Sequence, residues 1–385
     1  LFSRQVHLGQ FARCNHTGLM AKKKNAAMTT KTSARKPSTR QLGKLDREIL
    51  ELINRRATLT AERLLASGEA VGSPGIDAAD LQQVLQQNEG PLEDTAVEAV
   101  FRELLSGSQA IARRPRVAYL GPEYTYSHLA AIERFGQSAD LVPVGTIAAA
   151  FEEVEQEQAD FGIVPIENST DGGIVDTLEC LIRSPAQICG EVPLPIHHCL
   201  LGLGARKEIK RVYSKPQALS QCRNWLSKHL PSAELTGVAS TTEAARKAGT
   251  EKNTAAIASK QAGKNHGLRV LASSIEDNRD NVTRFAVIGQ ASGSRTGQDK
   301  TSLVYEISHQ PGALADSMAI FKRQRLNMTW IESFPMPGQR GRYLFFVEFQ
   351  GHASDLRVRK ALALLEKKTK RLTMLGSYAQ AEPIG

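Results

Sequence analysis

Between positions 39 and 112 the apolar residues keep helical spacing. Leu42, Leu45, Ile49, Leu52, Arg56, Leu59 and Arg63 recur in a 3-4-3-4 rhythm, the seam of a helix packed on other helices. Asn88-Glu89-Gly90-Pro91 breaks the chain ahead of a shorter helix carrying Val97, Val100, Phe101, Leu104 and Leu105. Arg113-Arg114-Pro115 reads as a linker. From Arg116 the texture changes. Short apolar runs at Val117–Leu120, Phe161–Val164, Val212-Tyr213, Ala255–Ala258 and Val282–Ile288 predict strands. Helical segments near 127–135, 147–157, 217–229 and 241–248 lie between them, which predicts βα units around a mostly parallel sheet, in two α/β lobes with a cleft. After a linker-like stretch at 291–299, the order strand (302–307), helix (312–324), strand (327–333), strand (343–349), helix (355–370), strand (372–377) predicts the ferredoxin-like βαββαβ unit. The fold expected is multidomain: a basic leader (1–38), an all-α domain (39–112), a two-lobed α/β domain (115–290) and an α+β domain (300–380).

Composition changes this picture only at the N-terminus. The net charge of +9 comes from residues 1–40, which hold nine Lys and Arg and no Asp or Glu, leaving 40 basic against 40 acidic residues thereafter. A nucleic-acid surface would therefore rest on the leader alone. The leader reads as a solvated tail, or as an upstream extension with Met20 or Met28 as the true start; a transit peptide or nucleic-acid arm is the alternative. No apolar run is long enough to predict a membrane span. The five cysteines (Cys14, Cys180, Cys189, Cys199, Cys222) form no C-x-x-C pair and no metal-ligand spacing with His, so they read as thiols of a reducing cytosol. His197 and His198 precede Cys199, but neighbours on a strand face opposite ways.

Three polar segments sit at predicted strand ends: Gly121–His128, Ile166–Gly173 and Asn281–Phe285. Open α/β sheets bind ligands at the carboxyl ends of their strands, where the first two segments lie while the third opens its strand; Ser, Thr, Asn and Gly there also serve as caps and turns. In this order they are specific. GPEYTYSHLA (121–130), VPIENSTDGG (164–173), KPQALSQC (215–222), STTEAA (240–245), AAIAS (255–259) and Thr283-Arg284-Phe285 resemble the prephenate dehydratase family. PGAL (311–314), ESFP (332–335) and YLFFVEFQGH (343–352) resemble the ACT regulatory domain of the same enzymes.

That resemblance implies two lobes of the periplasmic-binding-protein type, a cytoplasmic enzyme turning prephenate into phenylpyruvate, no cofactor or metal, and a homodimer or homotetramer without nucleic-acid or membrane partners. It assigns Thr283 as the donor to the departing ring hydroxyl, with Asn168 and Gln221 as polar partners. Glu167, Ser169, Thr125, Ser127, Gln217, Ser240, Thr241 and Arg284 would bind substrate, Arg284 through a substrate carboxylate; a solvated edge-strand charge is the alternative for Arg284. Phenylalanine would bind as effector at Gly312, Ala313, Leu314, Glu332 and Ser333, where Phe334 replaces the usual Arg; a purely dimerising module is the alternative. Tyr124 stands where the family usually has Gly, which strains the backbone if φ is positive there.

The 39–112 region resembles the chorismate mutase fused to such enzymes, through Leu45-Asp46, Ile53–Arg56 and the Asn-Glu-Gly-Pro turn. Arg56 matches a family active-site arginine. Ser67, Asp80 and Ala112 fall where a lysine, an arginine and a glutamine belong, and Arg40 lies one position out of register. Arg63 shares the face of Arg56 and is either a substitute cation or a snorkelling surface arginine. The expectation is a degenerate mutase, with chorismate as a ligand left open. An arogenate dehydratase, or a non-catalytic phenylalanine-binding protein of the same folds, are the competing readings.

Overall fold

A computed structural model describes residues 38–67, 75–76, 78–335 and 342–381; the leader before Ser38, with Cys14, lies outside the described residues. By its contacts the chain divides into a unit ending at Leu50 and a second running from Glu51. Three helices come first: α1 (Thr39–Ser67), α2 (Ala78–Leu85) and α3 (Asp94–Ala112). Among the described residues nothing covers the seam predicted on α1: Leu42, Leu45, Ile49, Leu52 and Leu59 are all more than half exposed. Their spacing records a packing face without saying what fills it. α3 is the anchored helix. Ser106 Oγ donates to the Phe135 carbonyl at 2.7 Å, and Arg102 pairs with Glu133 at 2.5 Å.

The α/β region opens with β1 (Arg116–Leu120), α4 (Tyr126–Phe135), β2 (Asp140–Val144), α5 (Ile147–Glu155), β3 (Phe161–Asn168), β4 (Gly172–Gly173), α6 (Val175–Arg183) and β5 (Gln187–Pro195). A second lobe follows: β6 (Cys199–Gly202), β7 (Arg211–Ser214), α7 (Pro216–Gln221), α8 (Arg223–His229), β8 (Glu234–Gly237), α9 (Thr241–Ala248), β9 (Thr254–Ala258), α10 (Lys260–Asn265) and β10 (Arg269–Ala272). β11 (Val282–Gly289) then returns to the first lobe. The sheets are ordered β2-β1-β3-β11-β5, with β4 on β3, and β10-β6-β9-β7-β8. They are mixed rather than mostly parallel. β11 runs antiparallel to both β3 and β5, and β6 runs antiparallel to β9 and β10. A strand that re-enters its sheet from another lobe carries no mark of direction in its apolar pattern. The segment predicted as one helix over 217–229 is two, interrupted at Cys222.

Two crossings join the lobes, and Glu276 ties them together. Its carboxylate, 5 % exposed, accepts from the His198 amide at 2.8 Å and meets His197 Nδ1 at 2.9 Å. Local signals hold the helices at the cleft: Thr125, Thr146 and Ser240 cap α4, α5 and α9 through their side-chain oxygens.

The last unit is β12 (Asp299–Glu306), α11 (Ala313–Gln324), β13 (Met328–Pro335), β14 (Tyr343–Gln350), α12 (Leu356–Glu366) and β15 (Arg371–Ala379), with strand order β13-β14-β12-β15. This is the split βαβ arrangement. One face of its sheet shares a core with the first lobe, where Val304, Leu344, Phe346, Leu375 and Tyr378 pack with Val164, Ile166, Ile188 and Ala286. The stretch read as a flexible linker is pinned instead. Gly293 N–H donates to Ser377 at 2.8 Å, the Asp299 carboxylate collects the Thr296 and Gly297 amides, and β12 begins at Asp299. No described helix is long and apolar enough to cross a membrane.

Candidate active site

A cleft of about 890 Å³ opens between the strand ends of the two α/β lobes. Thr283 is the second residue of β11 and sits directly opposite Asn168, the last residue of β3. Asn168 Nδ2 donates to Thr283 Oγ1 at 2.8 Å and to Asn281 Oδ1 at 2.9 Å. The loop fixes the orientation of the Asn168 amide, since Oδ1 accepts the backbone N–H groups of Thr170 (3.0 Å) and Asp171 (3.1 Å). The Asp171 carboxylate, an acceptor only, takes hydrogen bonds from the side-chain amides of Gln217 (2.5 Å) and Gln221 (2.8 Å). Gln221 Oε1 therefore faces inward, receiving Asn281 Nδ2 at 3.2 Å and His198 Nε2 at 3.0 Å.

The direction of every bond follows from Asp171 and from the loop amides. Thr283 Oγ1 is held as an acceptor from Asn168, so its own hydrogen is left for the cleft. Gln221 reaches Thr283 only through Asn281 and Asn168. The same ordering puts a proton on His198 Nε2. This imidazole is 2 % exposed, and burial pushes its pKa below the ordinary histidine value, so it works as a neutral donor. Tyr126 closes this wall, its hydroxyl donating to the His197 carbonyl at 2.7 Å.

A second group of lining residues, set beside the carboxylates of Asp176 and Glu243, suits an anion. Residues at the N-terminal ends of α4 (Thr125, Ser127), α5 (Thr146) and α9 (Ser240, Thr241) line the cleft together with Lys215. Free amides and the positive ends of three helix dipoles favour carboxylates there.

Sequence reasoning placed Thr283, Asn168, Gln221, Gln217, Thr125, Ser127, Ser240 and Thr241 at the site, and all eight line this cleft. Glu167, Ser169 and Arg284 do not. Strand alternation turns Glu167 and Arg284 to the opposite face, where Arg284 is 9 % exposed and pairs with Glu167 at 3.0 Å; it is neither a carboxylate clamp in the cleft nor a solvated charge. The Ser169 hydroxyl is spent on backbone, accepting from Val282 N–H at 2.9 Å and donating to the Asp280 carbonyl. Asp171, His198, Asn281, Tyr126 and Lys215 had not been singled out. The opposed placement expected of His197 and His198 holds, His197 being exposed and His198 buried, although both lie in the crossing between β5 and β6 and not on a strand.

Tyr124 has φ of 65°. Its amide donates to His128 Nδ1 at 2.9 Å, its carbonyl accepts from Ser259 Oγ at 3.2 Å, and its ring packs against the second lobe's apolar cluster. On α1, Arg40 and Arg63 are exposed, whereas Arg56 is half-buried with Nη1 enclosed and unpartnered among the described residues. In the C-terminal unit a cavity of about 510 Å³ is lined by Gly312 and Leu314 with His309, Met318, Tyr343 and Phe345. Ala313, Glu332 and Ser333 fall outside it. β13 is an edge strand on which Ser333 faces solvent and Glu332 turns toward Gly173 of the first lobe.

A prephenate dehydratase family model matches residues 117–293. The bifunctional chorismate mutase/prephenate dehydratase of Aquifex aeolicus is 37% identical over 350 residues, covering 89% of this chain and 97% of that protein. Arogenate dehydratase 2 of Petunia hybrida is 38% identical over 71% of this chain and 74% of its own length. Among solved structures, the Arthrobacter aurescens prephenate dehydratase in complex with L-Phe superposes with a TM-score of 0.65 at 34% identity, covering 70% of this chain and 91% of that one.

Proposed function

Because the chain belongs to the prephenate dehydratase family and turns prephenate into phenylpyruvate in phenylalanine biosynthesis, we propose that Thr283 donates the hydrogen bond under which the ring hydroxyl departs. Prephenate gives up its ring hydroxyl and its ring carboxylate together. The ring C–O bond breaks, the C–C pair of the carboxylate moves into the ring as carbon dioxide leaves, and the hydroxide takes up one proton to depart as water. Aromatisation supplies the driving force, so the enzyme's work is positioning and charge stabilisation. The observation that carries this reading is the polarity of the Asn168–Thr283 bond, which leaves the threonine hydrogen facing the cleft. His198, Gln221 and Asn281 hold that polarity, and Lys215 with the three helix ends receives the two carboxylates of the substrate.

Lys215 is the cation lining the cleft apart from the neutral His198. Lys215→Ala is expected to raise KM for prephenate about tenfold, with a smaller change in kcat, as fits loss of one charge-assisted hydrogen bond. Steady-state kinetics measures the split. An unchanged KM removes Lys215 from substrate binding.

We assign residues 39–112 to a degenerate chorismate-mutase-like domain, 115–290 to the dehydratase with lobes of the periplasmic-binding type, and 300–380 to an ACT-like domain that binds phenylalanine. The cavity beside Gly312 and Leu314 supports the last assignment. The enzyme is read as cytoplasmic and as a homodimer or homotetramer. Purified protein given chorismate and prephenate separately, with and without phenylalanine, tests these parts. Phenylpyruvate is expected from prephenate, suppressed by phenylalanine, and none from chorismate. Phenylpyruvate from chorismate restores the mutase, and turnover of arogenate in preference to prephenate moves the enzyme to the dehydratase class of the petunia relative.

A further inference from the structure

Directly behind the catalytic pair lies a buried cluster of charge to which the chemistry gives no role. Thr283 and Asn168 face each other across β11 and β3, and Arg284 and Glu167, the next rung of the same ladder, face each other on the reverse side. Arg284 Nε donates to Glu167 at 3.0 Å, while Nη1 donates to Glu191 of β5 at 3.0 Å and to Glu348 of β14 at 2.5 Å. Lys300 of β12 pairs with the same two carboxylates, Glu191 at 3.0 Å and Glu348 at 3.3 Å. Tyr378 Oη at 2.7 Å and Thr329 Oγ1 at 2.8 Å complete the seat of Glu348. The Trp330 ring stacks on the guanidinium at 5.1 Å.

Five of these residues, Lys300, Thr329, Trp330, Glu348 and Tyr378, belong to the C-terminal unit. Burial disfavours charge on Glu348, but Arg284 and Lys300 outweigh it and bring the carboxyl down to about 2. Glu348 is thus held as a carboxylate, and Arg284, Lys300, Glu191 and Glu348 are each fixed by at least two partners. A charge so enclosed cannot shift without leaving another unpaired.

We propose that Arg284 is a positioning residue for Thr283 and Asn168, and that Glu348 and Lys300 of the C-terminal unit complete the socket that holds it. The catalytic rung is then assembled from both units. Sub-ångström placement of the Thr283 donor depends on side chains contributed by the unit that bears the proposed phenylalanine cavity. The proposal rests on the reading of Thr283 as the donor to the leaving hydroxyl.

The test is prephenate kinetics on the full chain with Glu348→Gln, which keeps shape and removes charge, beside Arg284→Lys and Arg284→Met. Glu348→Gln is expected to lower kcat between about ten- and a hundredfold with KM within about twofold, as misplacement of a reacting group does. Arg284→Lys is expected to recover part of the activity lost in Arg284→Met. A folded Glu348→Gln protein, judged by circular dichroism, with kcat within about twofold of wild type overturns the proposal. Should Glu348→Gln fail to fold, Tyr378→Phe and Thr329→Val each remove one hydrogen bond from Glu348; unaltered kcat in both overturns it equally. Full turnover in Thr283→Ala would instead remove the reading beneath the proposal.

Discussion

Thr283→Ala is expected to cut kcat for prephenate by about 10²–10⁴-fold, the usual contribution of a positioned donor or acid at a leaving group. The cleft should survive the change, because the strand is held by its ladder on both sides and Asn168 keeps its loop and Asn281 partners. KM should move little, since the proposed carboxylate contacts are with Lys215 and the helix ends and not with Thr283. Thr283→Ser keeps a hydroxyl at the same register and is expected to retain most of the rate. Stopped-assay detection of phenylpyruvate, with circular dichroism as the folding control, separates these outcomes. Undiminished turnover in Thr283→Ala takes the departing hydroxyl away from Thr283.

Gly376→Ala is expected to cause the largest loss of stability of any Gly→Ala change at the described glycines of the C-terminal unit. Gly376 on β15 has φ of 149°, a conformation closed to side chains, and a Cβ there would overlap the backbone carbonyl of Ile188 on β5. The clash is backbone against backbone, so no rotamer change relieves it. Overpacking and backbone strain together should cost about 3 kcal/mol or more. At ~2–4 °C per kcal/mol for a body of this size, the melting midpoint falls roughly 6–12 °C. Calorimetry measures it directly, and an unchanged midpoint would mean that β15 and β5 do not approach as closely as described.

Much of this architecture could be read from the residues, for identifiable reasons. Thr125, Thr146 and Ser240 announce helix starts because their side chains satisfy amides there, and the apolar run of β11 announces a strand covered on both faces. What failed was direction and partner. Nothing in Val282–Gly289 says that it runs antiparallel to its neighbours, and nothing in the α1 seam says what covers it. The orientation of Arg284 and Glu167 is nonetheless implicit in the sequence. If Thr283 and Asn168 face the cleft, the adjacent residues on extended strands cannot, because successive side chains on a strand point to opposite faces. Asp171 was hidden for another cause: its importance comes from two glutamines on α7, 46 and 50 residues away in sequence, which only folding brings to it.

The tyrosine at position 124 has an outcome for the timing of the catalytic cycle. A left-handed backbone at a bulky residue stores on the order of 1–2 kcal/mol, and here its ring is lodged in the facing lobe, with Ser259 fastened to its carbonyl. Parting the lobes withdraws that ring from apolar company, while the stored strain pushes the other way once it is free. A wider opening of the cleft would therefore expose this ring, at a cost that release of the strain partly offsets, a few residues from the N-terminus of α4.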